Sequence, residues 1–274
     1  MRLSLTFIIY LLTFSLCCPF FLLSEENFLL LEASINKLVL QTGNGLDVRR
    51  SPCSTFKIPL SLMGYDSRIL LNKTQPEWNY RENYIQDIPS MYNSYIEAWK
   101  KAYRPDSWIR YSCIWYSQQL AKQIGKNKIQ KYLQSFKYGN CDLVGNSQKN
   151  DSIKKAWLMS SLLISPREQA YFLQKLVLGL LPISKTSLMM TRELLYMEDL
   201  EPNCKLYGKV GSGRDEKEGK YLSWFVGWVE KEEKIYVFVY NCLKLQFNPA
   251  ERLERVKTFL YQNQIISDLE VEVS

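Results

Sequence analysis

The residues best placed to do chemistry lie in Ser51-Pro52-Cys53-Ser54-Thr55-Phe56-Lys57-Ile58-Pro59. Ser54 and Lys57 stand three apart, so on a helix they share one face and a hydroxyl meets an amine. A serine hydroxyl is a poor nucleophile until a neighbouring base takes its proton. The 274-residue chain contains no histidine, so the base must be another group. A Ser-His-Asp triad, a Cys-His dyad and a histidine zinc site are all excluded. The start of a helix adds free backbone N–H groups and positive potential, which favour a developing oxyanion. Pro59 suits a helix start better than a helix interior. By itself the Ser-x-x-Lys tetrad also fits a solvated helix face; its weight comes from partners further along the chain.

Elements that could position these groups follow from the pattern. Ile35 to Arg50 reads as strand with a turn at Thr42-Gly43-Asn44-Gly45, and the Ser54 helix ends near Gly64. Residues 65–200 read as mostly helical. Ser165-Pro166-Arg167-Glu168 is a capping box with proline at the first helical position, followed by the apolar run Tyr171 to Leu181; Ser187 to Met197 is a further helix. Beyond Pro202 the pattern turns to strands at Leu206–Val210, Leu222–Glu230 and Lys234–Leu243. In the last, Ile235, Val237 and Val239 alternate with Tyr236, Phe238 and Tyr240, so both faces are apolar, as in a central, covered strand. A helix from about Pro249 carries Leu253, Val256 and Leu260 on one face. The expected fold is α+β: a central antiparallel sheet from both chain ends, flanked by helices, with a helical region inserted. Residues 24–274 are expected to form one domain, its helical part at about 65–200 and its sheet and flanking helices from 24–64 and 201–274.

Composition bounds the reading. Hydrophobic content of 46% and aromatic content of 14% describe a globular chain with a core. The net charge of +7 is scattered, without the basic stripe that nucleic-acid binding uses. The seven cysteines form no Cys-x-x-Cys pair, so no metal site is expected. Arg2 followed by the apolar run Leu3 to Leu23 reads as a signal peptide over residues 1–23, giving an exported, periplasmic protein. Uncut, the run is long enough to anchor the chain in a membrane. Cys17-Cys18 invites a lipid anchor, but Leu16 is not the small residue such a site carries. With the leader removed five cysteines remain, so at least one thiol is free or intermolecular.

Four further motifs follow the tetrad in order. Ser112-Cys113-Ile114 begins a helical segment from Trp108 to Gln123, Tyr138-Gly139-Asn140 sits in a loop, Lys209-Val210-Gly211 lies on a strand, and Trp224-Phe225-Val226-Gly227-Trp228 on the next. With these, and with Ala156-Trp157-Leu158, Ile164-Ser165-Pro166, Gln169 and Pro249-Ala250-Glu251-Arg252, the chain from about residue 46 to 265 resembles the class D β-lactamases, the oxacillinase family of serine hydrolases.

The resemblance implies the αβα-type serine β-lactamase and penicillin-binding fold, and a role for each matched residue. Ser54 is the acylated nucleophile. Lys57 is the general base in an N-carboxylated form made with CO2 or bicarbonate, which requires a neutral amine and so a pKa lowered by apolar burial. Phe56, Ile114, Trp157 and Leu158 are the walls, and the Trp157 indole donates to the carbamate. Ser112 relays a proton to the departing lactam nitrogen. Lys209 holds Ser112 and supplies positive potential. Arg252 pairs with the substrate carboxylate. The N–H groups of Ser54 and Ser212 form the oxyanion hole, Gly211 binds substrate, and Tyr138 lines the mouth. Cys53 is read as a small helix-start residue, and Trp224 and Trp228 as sheet packing.

Two departures stand out. Val210 replaces a hydroxyl residue that helps hold the carboxylate, leaving Lys209, Arg252 and Ser212 for that task, and the loop from Cys141 to Lys155 is long. The activity implied is hydrolysis of penicillin-type β-lactams, by a monomer or homodimer with no nucleic-acid partner and no membrane contact beyond the N-terminal segment. The alternatives are a penicillin-sensing domain that is acylated at Ser54 and not turned over, a D,D-peptidase, against which Ile114 and Tyr138-Gly139-Asn140 argue, and a degraded relative, suggested by Val210.

Overall fold

A computed structural model describes residues 25–86, 88–145, 152–215, 218–246 and 248–267. The expected signal peptide, with Cys17 and Cys18, and the middle of the Cys141–Lys155 loop lie outside the described residues. In chain order the elements are β1 (Glu25–Glu32), β2 (Lys37–Thr42), α1 (Lys57–Asp66), α2 (Asn93–Trp99), α3 (Pro105–Arg110), α4 (Ile114–Ile124), α5 (Lys126–Phe136), α6 (Ser152–Lys155), α7 (Pro166–Val177), α8 (Lys185–Leu195), β3 (Tyr196–Glu201), β4 (Cys204–Asp215), β5 (Lys220–Lys231), β6 (Lys234–Lys244) and α9 (Glu251–Gln262).

The six strands form one antiparallel sheet in the order β2-β1-β6-β5-β4-β3, so both ends of the described chain meet at β1 and β6. The alternation of side chains across the pleat divides the core in two. Leu29, Leu31, Trp224, Val226, Trp228, Val237 and Val239 face the helical body that holds α1, α4 and α7. Phe28, Leu30, Phe225, Phe238 and Tyr240 face the other way, onto Val256, Phe259 and Leu260 of α9. The β6 strand is therefore covered on both faces, as its sequence predicts. The α7 capping box is present: Glu168 N donates to Ser165 Oγ at 3.2 Å, Ser165 N donates to Glu168 Oε2 at 2.9 Å, and Pro166 opens the helix.

Several boundaries differ from the sequence reading. The first strand is β1, ten residues ahead of Ile35. Its Phe28-Leu29-Leu30-Leu31 core lacks alternation because both faces are buried, and it merges in sequence with the apolar run before it. The helix expected from Ser187 to Met197 stops at Leu195, and Tyr196–Glu201 pairs with β4 as an edge strand. The segment Trp108–Gln123 is two helices, broken where Ser112 takes a left-handed backbone, φ +56°. Between Ser67 and Tyr92 the chain is mainly irregular, with short 3-10 turns at Glu82–Tyr84 and Ser90–Tyr92. Cys53, Cys113, Cys141, Cys204 and Cys242 are all free thiols. Among the described residues no helix is long and apolar enough to cross a membrane.

The α9 face of the sheet is closed by Phe259 stacked on Phe28, with ring centroids 4.2 Å apart. Truncating a buried phenylalanine removes transfer free energy and leaves a cavity. Phe259→Ala is expected to lower stability by about 3 kcal/mol or more, read as a fall in the urea midpoint at unchanged m-value.

Candidate active site

The chain enters the site through Ser51, which is pinned from three sides. Its hydroxyl donates to the Trp157 carbonyl at 2.8 Å and accepts from Met159 N at 2.9 Å, and its own carbonyl accepts the Trp224 indole N–H at 2.9 Å. A 3-10 turn, Cys53–Phe56, then leads directly into α1. Cys53 adopts φ +50°, and the turn is closed by Thr55, whose N and Oγ1 both donate to the Pro52 carbonyl at 3.1 and 2.7 Å. The Gln169 amide of α7 donates to Thr55 Oγ1 at 2.9 Å and braces it.

With three residues per turn, side chains three apart in a 3-10 turn eclipse one another. Ser54 and Lys57 do so across the join with α1, and Lys57 Nζ donates to Ser54 Oγ at 3.0 Å. Lys57 is 1% exposed, and burial lowers its amine to about 7; the nearby Cys113 and Cys53 thiols oppose the shift only weakly. Phe56, Ile114, Trp157 and Leu158 are all buried, with Phe56 stacked on Trp157 at 4.9 Å. Ile114 opens α4, which packs on α1. A neutral amine at this contact has a lone pair that can accept the serine proton.

The β4 strand passes alongside the turn. A Cβ on Gly211 would sit 3.0 Å from the Pro52 carbonyl oxygen and 3.2 Å from Ser54 N, so glycine permits this approach. On the same face Lys209 is buried, its Nζ donating to the Val210 carbonyl at 3.3 Å. Burial holds its pKa well below the usual lysine value, and the charges of Lys57 and Arg252 lower it further. Arg252, in the first turn of α9, donates through Nη1 to Ser212 Oγ at 2.7 Å and to the Gly211 carbonyl at 3.4 Å. Burial brings its guanidinium down to about 10, still a cation at neutral pH.

Beyond Tyr207, β4 has no strand on its outer side among the described residues. The Ser212 carbonyl points to that side, where it accepts the Tyr92 hydroxyl at 2.6 Å. A strand residue directs its N–H and C=O to the same side, so Ser212 N–H faces outward as well, beside the Ser54 turn. A hydroxyl, two buried lysine amines, the Arg252 guanidinium and two backbone N–H groups are thus brought together, an arrangement suited to acyl transfer on an anionic substrate.

Known proteins agree with that chemistry. Residues 32–254 match the penicillin-binding protein transpeptidase domain. The chain is 37% identical to β-lactamase OXA-1 of Escherichia coli, over 81% of this chain and 77% of that relative. It is 38% identical to β-lactamase OXA-9 of Klebsiella pneumoniae, over 69% of each. The crystal structure of the class D β-lactamase OXA-427 superposes with a TM-score of 0.78 at 35% identity, covering 88% of this chain and 98% of that one. The chain belongs to the class D β-lactamases.

Against that family pattern, the structure brings together Ser54, Lys57, Lys209, Gly211, Ser212 and Arg252, with Ile114, Trp157 and Leu158 buried as expected of walls. Ser112 lies at the α3–α4 break, next to Cys113, which is close enough to act on Lys57. Its expected hydrogen bond with Lys209 is not found among the described residues; the lysine bonds to its own strand instead. Val210 points to the opposite face and packs against the core that α9 covers.

Tyr138 is corrected. Expected at the mouth, it is fully buried between Phe56 and Phe172, with ring centroids 5.9 and 5.1 Å away. The cause is the turn that follows it. Gly139 has φ +55° and presses on the Leu163 carbonyl, while Asn140 donates to the Ser161 carbonyl at 2.8 Å and accepts from Leu163 N at 2.9 Å. Those bonds turn the preceding ring inward, beneath the nucleophile turn.

Sequence reasoning missed Ser51, Thr55 and Tyr92, and read Trp224 as packing alone. Their roles rest on hydrogen bonds to residues far away in sequence, for which no local pattern exists.

The lysine burial has a consequence for stability. Between pH 7 and 10.5 the unfolded chain holds a proton on Lys57 that the folded chain lacks, so stability rises with pH across that window. At pH 7 the burial of this amine costs on the order of 4 kcal/mol. In CO2-free buffer Lys57→Met is therefore expected to melt above the wild type at pH 7, with the gap closing toward pH 10. Parallel melting curves over that range would contradict it.

Proposed function

We propose that the protein hydrolyses penicillin-type β-lactams through an acyl-enzyme on Ser54, with N-carboxylated Lys57 as general base. The observation that carries this reading is the 3.0 Å contact between Ser54 Oγ and an amine that burial has brought to about 7. A neutral, nucleophilic amine behind apolar walls is what carboxylation by CO2 requires, so the residues fit the modification. When present, the carbamate supplies an anionic base for both acylation and deacylation. The Trp157 indole N–H is the donor we assign to hold it.

The chain's own groups account for the rest. Ser54 gives up its proton on the Lys57 side, and its Oγ attacks the lactam carbonyl carbon. The N–H groups of Ser54 and Ser212 face the oxygen that becomes negative; removing one such donor typically costs a factor of 10²–10³. The C–N bond breaks, and Ser112, beside the Lys57 pocket, returns a proton to the nitrogen. Lys209 and Arg252 attract the substrate carboxylate, Arg252 through a guanidinium already oriented on Ser212. Water then releases the acyl group and restores the Ser54 hydroxyl. Such drugs act outside the cytoplasm, and the apolar N-terminal run supports an exported enzyme.

Purified protein is expected to turn over benzylpenicillin, faster once bicarbonate is added to degassed buffer, with an acid limb in kcat/KM near pH 7 as Lys57 loses its proton. Lys57→Ala should reduce turnover by on the order of 10²–10⁴-fold. A burst of one equivalent without turnover would instead identify a penicillin sensor.

A further inference from the structure

Tyr92 takes no part in the chemistry above, yet it reaches directly into the cleft. It ends the short turn Ser90–Tyr92 ahead of α2 and is 7% exposed, although most of the α2 residues that follow are exposed. Its hydroxyl donates to the Ser212 carbonyl at 2.6 Å across a separation of 120 residues. Two cavities meet at it. One, of about 910 Å³, is bounded by Leu158, Met159 and Arg214, and the other, of about 530 Å³, by Tyr95, Ser212 and Gln246; Met91 and Tyr92 line both. The phenol is thus a crossbar dividing the space on either side of β4's outer edge. Burial and the nearby Cys53 thiol hold its pKa well above the usual tyrosine value, so it remains a donor at any working pH.

The Ser212 carbonyl that this hydroxyl occupies stands beside the N–H assigned to the oxyanion hole. A ligand reaching that N–H lies along the open edge of β4, and an amide N–H on the ligand meets this same carbonyl, as an added strand would. We propose that Tyr92 is a specificity-determining gate that competes with the amide N–H of acylamino β-lactams for the Ser212 carbonyl. The proposal rests on the assignment of Ser212 N–H to the oxyanion hole. A substrate bearing an acylamino group must displace the phenol to make its own bond, whereas one with only hydrogen at that carbon has no use for the carbonyl.

The test compares acylation of Ser54, followed by intact mass, for benzylpenicillin and for penicillanic acid without a side chain, in wild type and Tyr92→Phe. This variant keeps the ring and loses only the hydroxyl. The ratio of second-order acylation constants, benzylpenicillin over penicillanic acid, is expected to rise about three- to tenfold, the range of one neutral hydrogen bond. An unchanged or falling ratio overturns the gate, because a purely structural tyrosine moves both substrates together. Should Tyr92→Phe fold poorly, Tyr92→Leu gives the same comparison. Because the readout is acylation, a protein that is acylated but never turned over still tests Tyr92 while failing the hydrolytic reading. Absence of acylation by either compound in the wild type overturns both.

Discussion

The structure depends on one desolvated amine. Lys57 is buried to 1% exposure without a carboxylate partner among the described ion pairs, an arrangement that folding alone does not favour. The protein meets that cost by giving up the charge: an amine near 7 is a base at neutral pH, where an ordinary lysine is not. Much of the architecture serves this. The 3-10 turn ahead of α1 eclipses Ser54 with Lys57, the start of α4 brings Ile114, and the loop after α6 brings Trp157 and Leu158. None of these elements is neighbour to another in sequence, so their register must be held by bonds between them.

Ser51 holds most of that register. Its hydroxyl ties the Trp157–Met159 loop to the strand of chain entering the nucleophile turn, and its carbonyl ties the same point to β5 through Trp224. The backbone pairing of Arg50 with Ile164 continues the seam. Gln169 and Thr55 brace the turn from α7, and Gly211 lets β4 come within contact of it. A buried hydroxyl with its donor and acceptor roles both satisfied loses more than a single bond when removed, because its partners are left unpaired in the interior. The precision of the Ser54–Lys57 contact is thus a property of the sheet–helix interface as much as of the tetrad.

This explains which parts were legible in the sequence. The sheet was readable at β5 and β6, where covered faces leave long apolar runs, and at the first half of β4, and α7 was readable from its capping box. The β1 strand was hidden because its short apolar core follows closely on the apolar run before it, leaving no separate segment to read. The break at Ser112 was hidden because a left-handed residue other than glycine or asparagine carries no compositional mark. The pocket walls were legible because dryness needs apolar residues, whereas Tyr138 was misplaced because motif order says nothing of which way a ring turns. Tyr92 was invisible for a different reason: one phenol meeting one carbonyl 120 residues away has no periodicity to read.

The faces of β4 also account for Val210. Alternation places Lys209 and Gly211 toward the nucleophile turn, and Val210 and Ser212 toward α9. A valine at 210 adds apolar contact with the core beneath α9, and on that face Ser212 is the polar residue, binding Arg252 directly. The replacement therefore leaves the Arg252–Ser212 contact intact. Lys209, on the other face, is depressed chiefly by burial, with Lys57 and then Arg252 adding to it, so an anion arriving beside it would favour its protonated form.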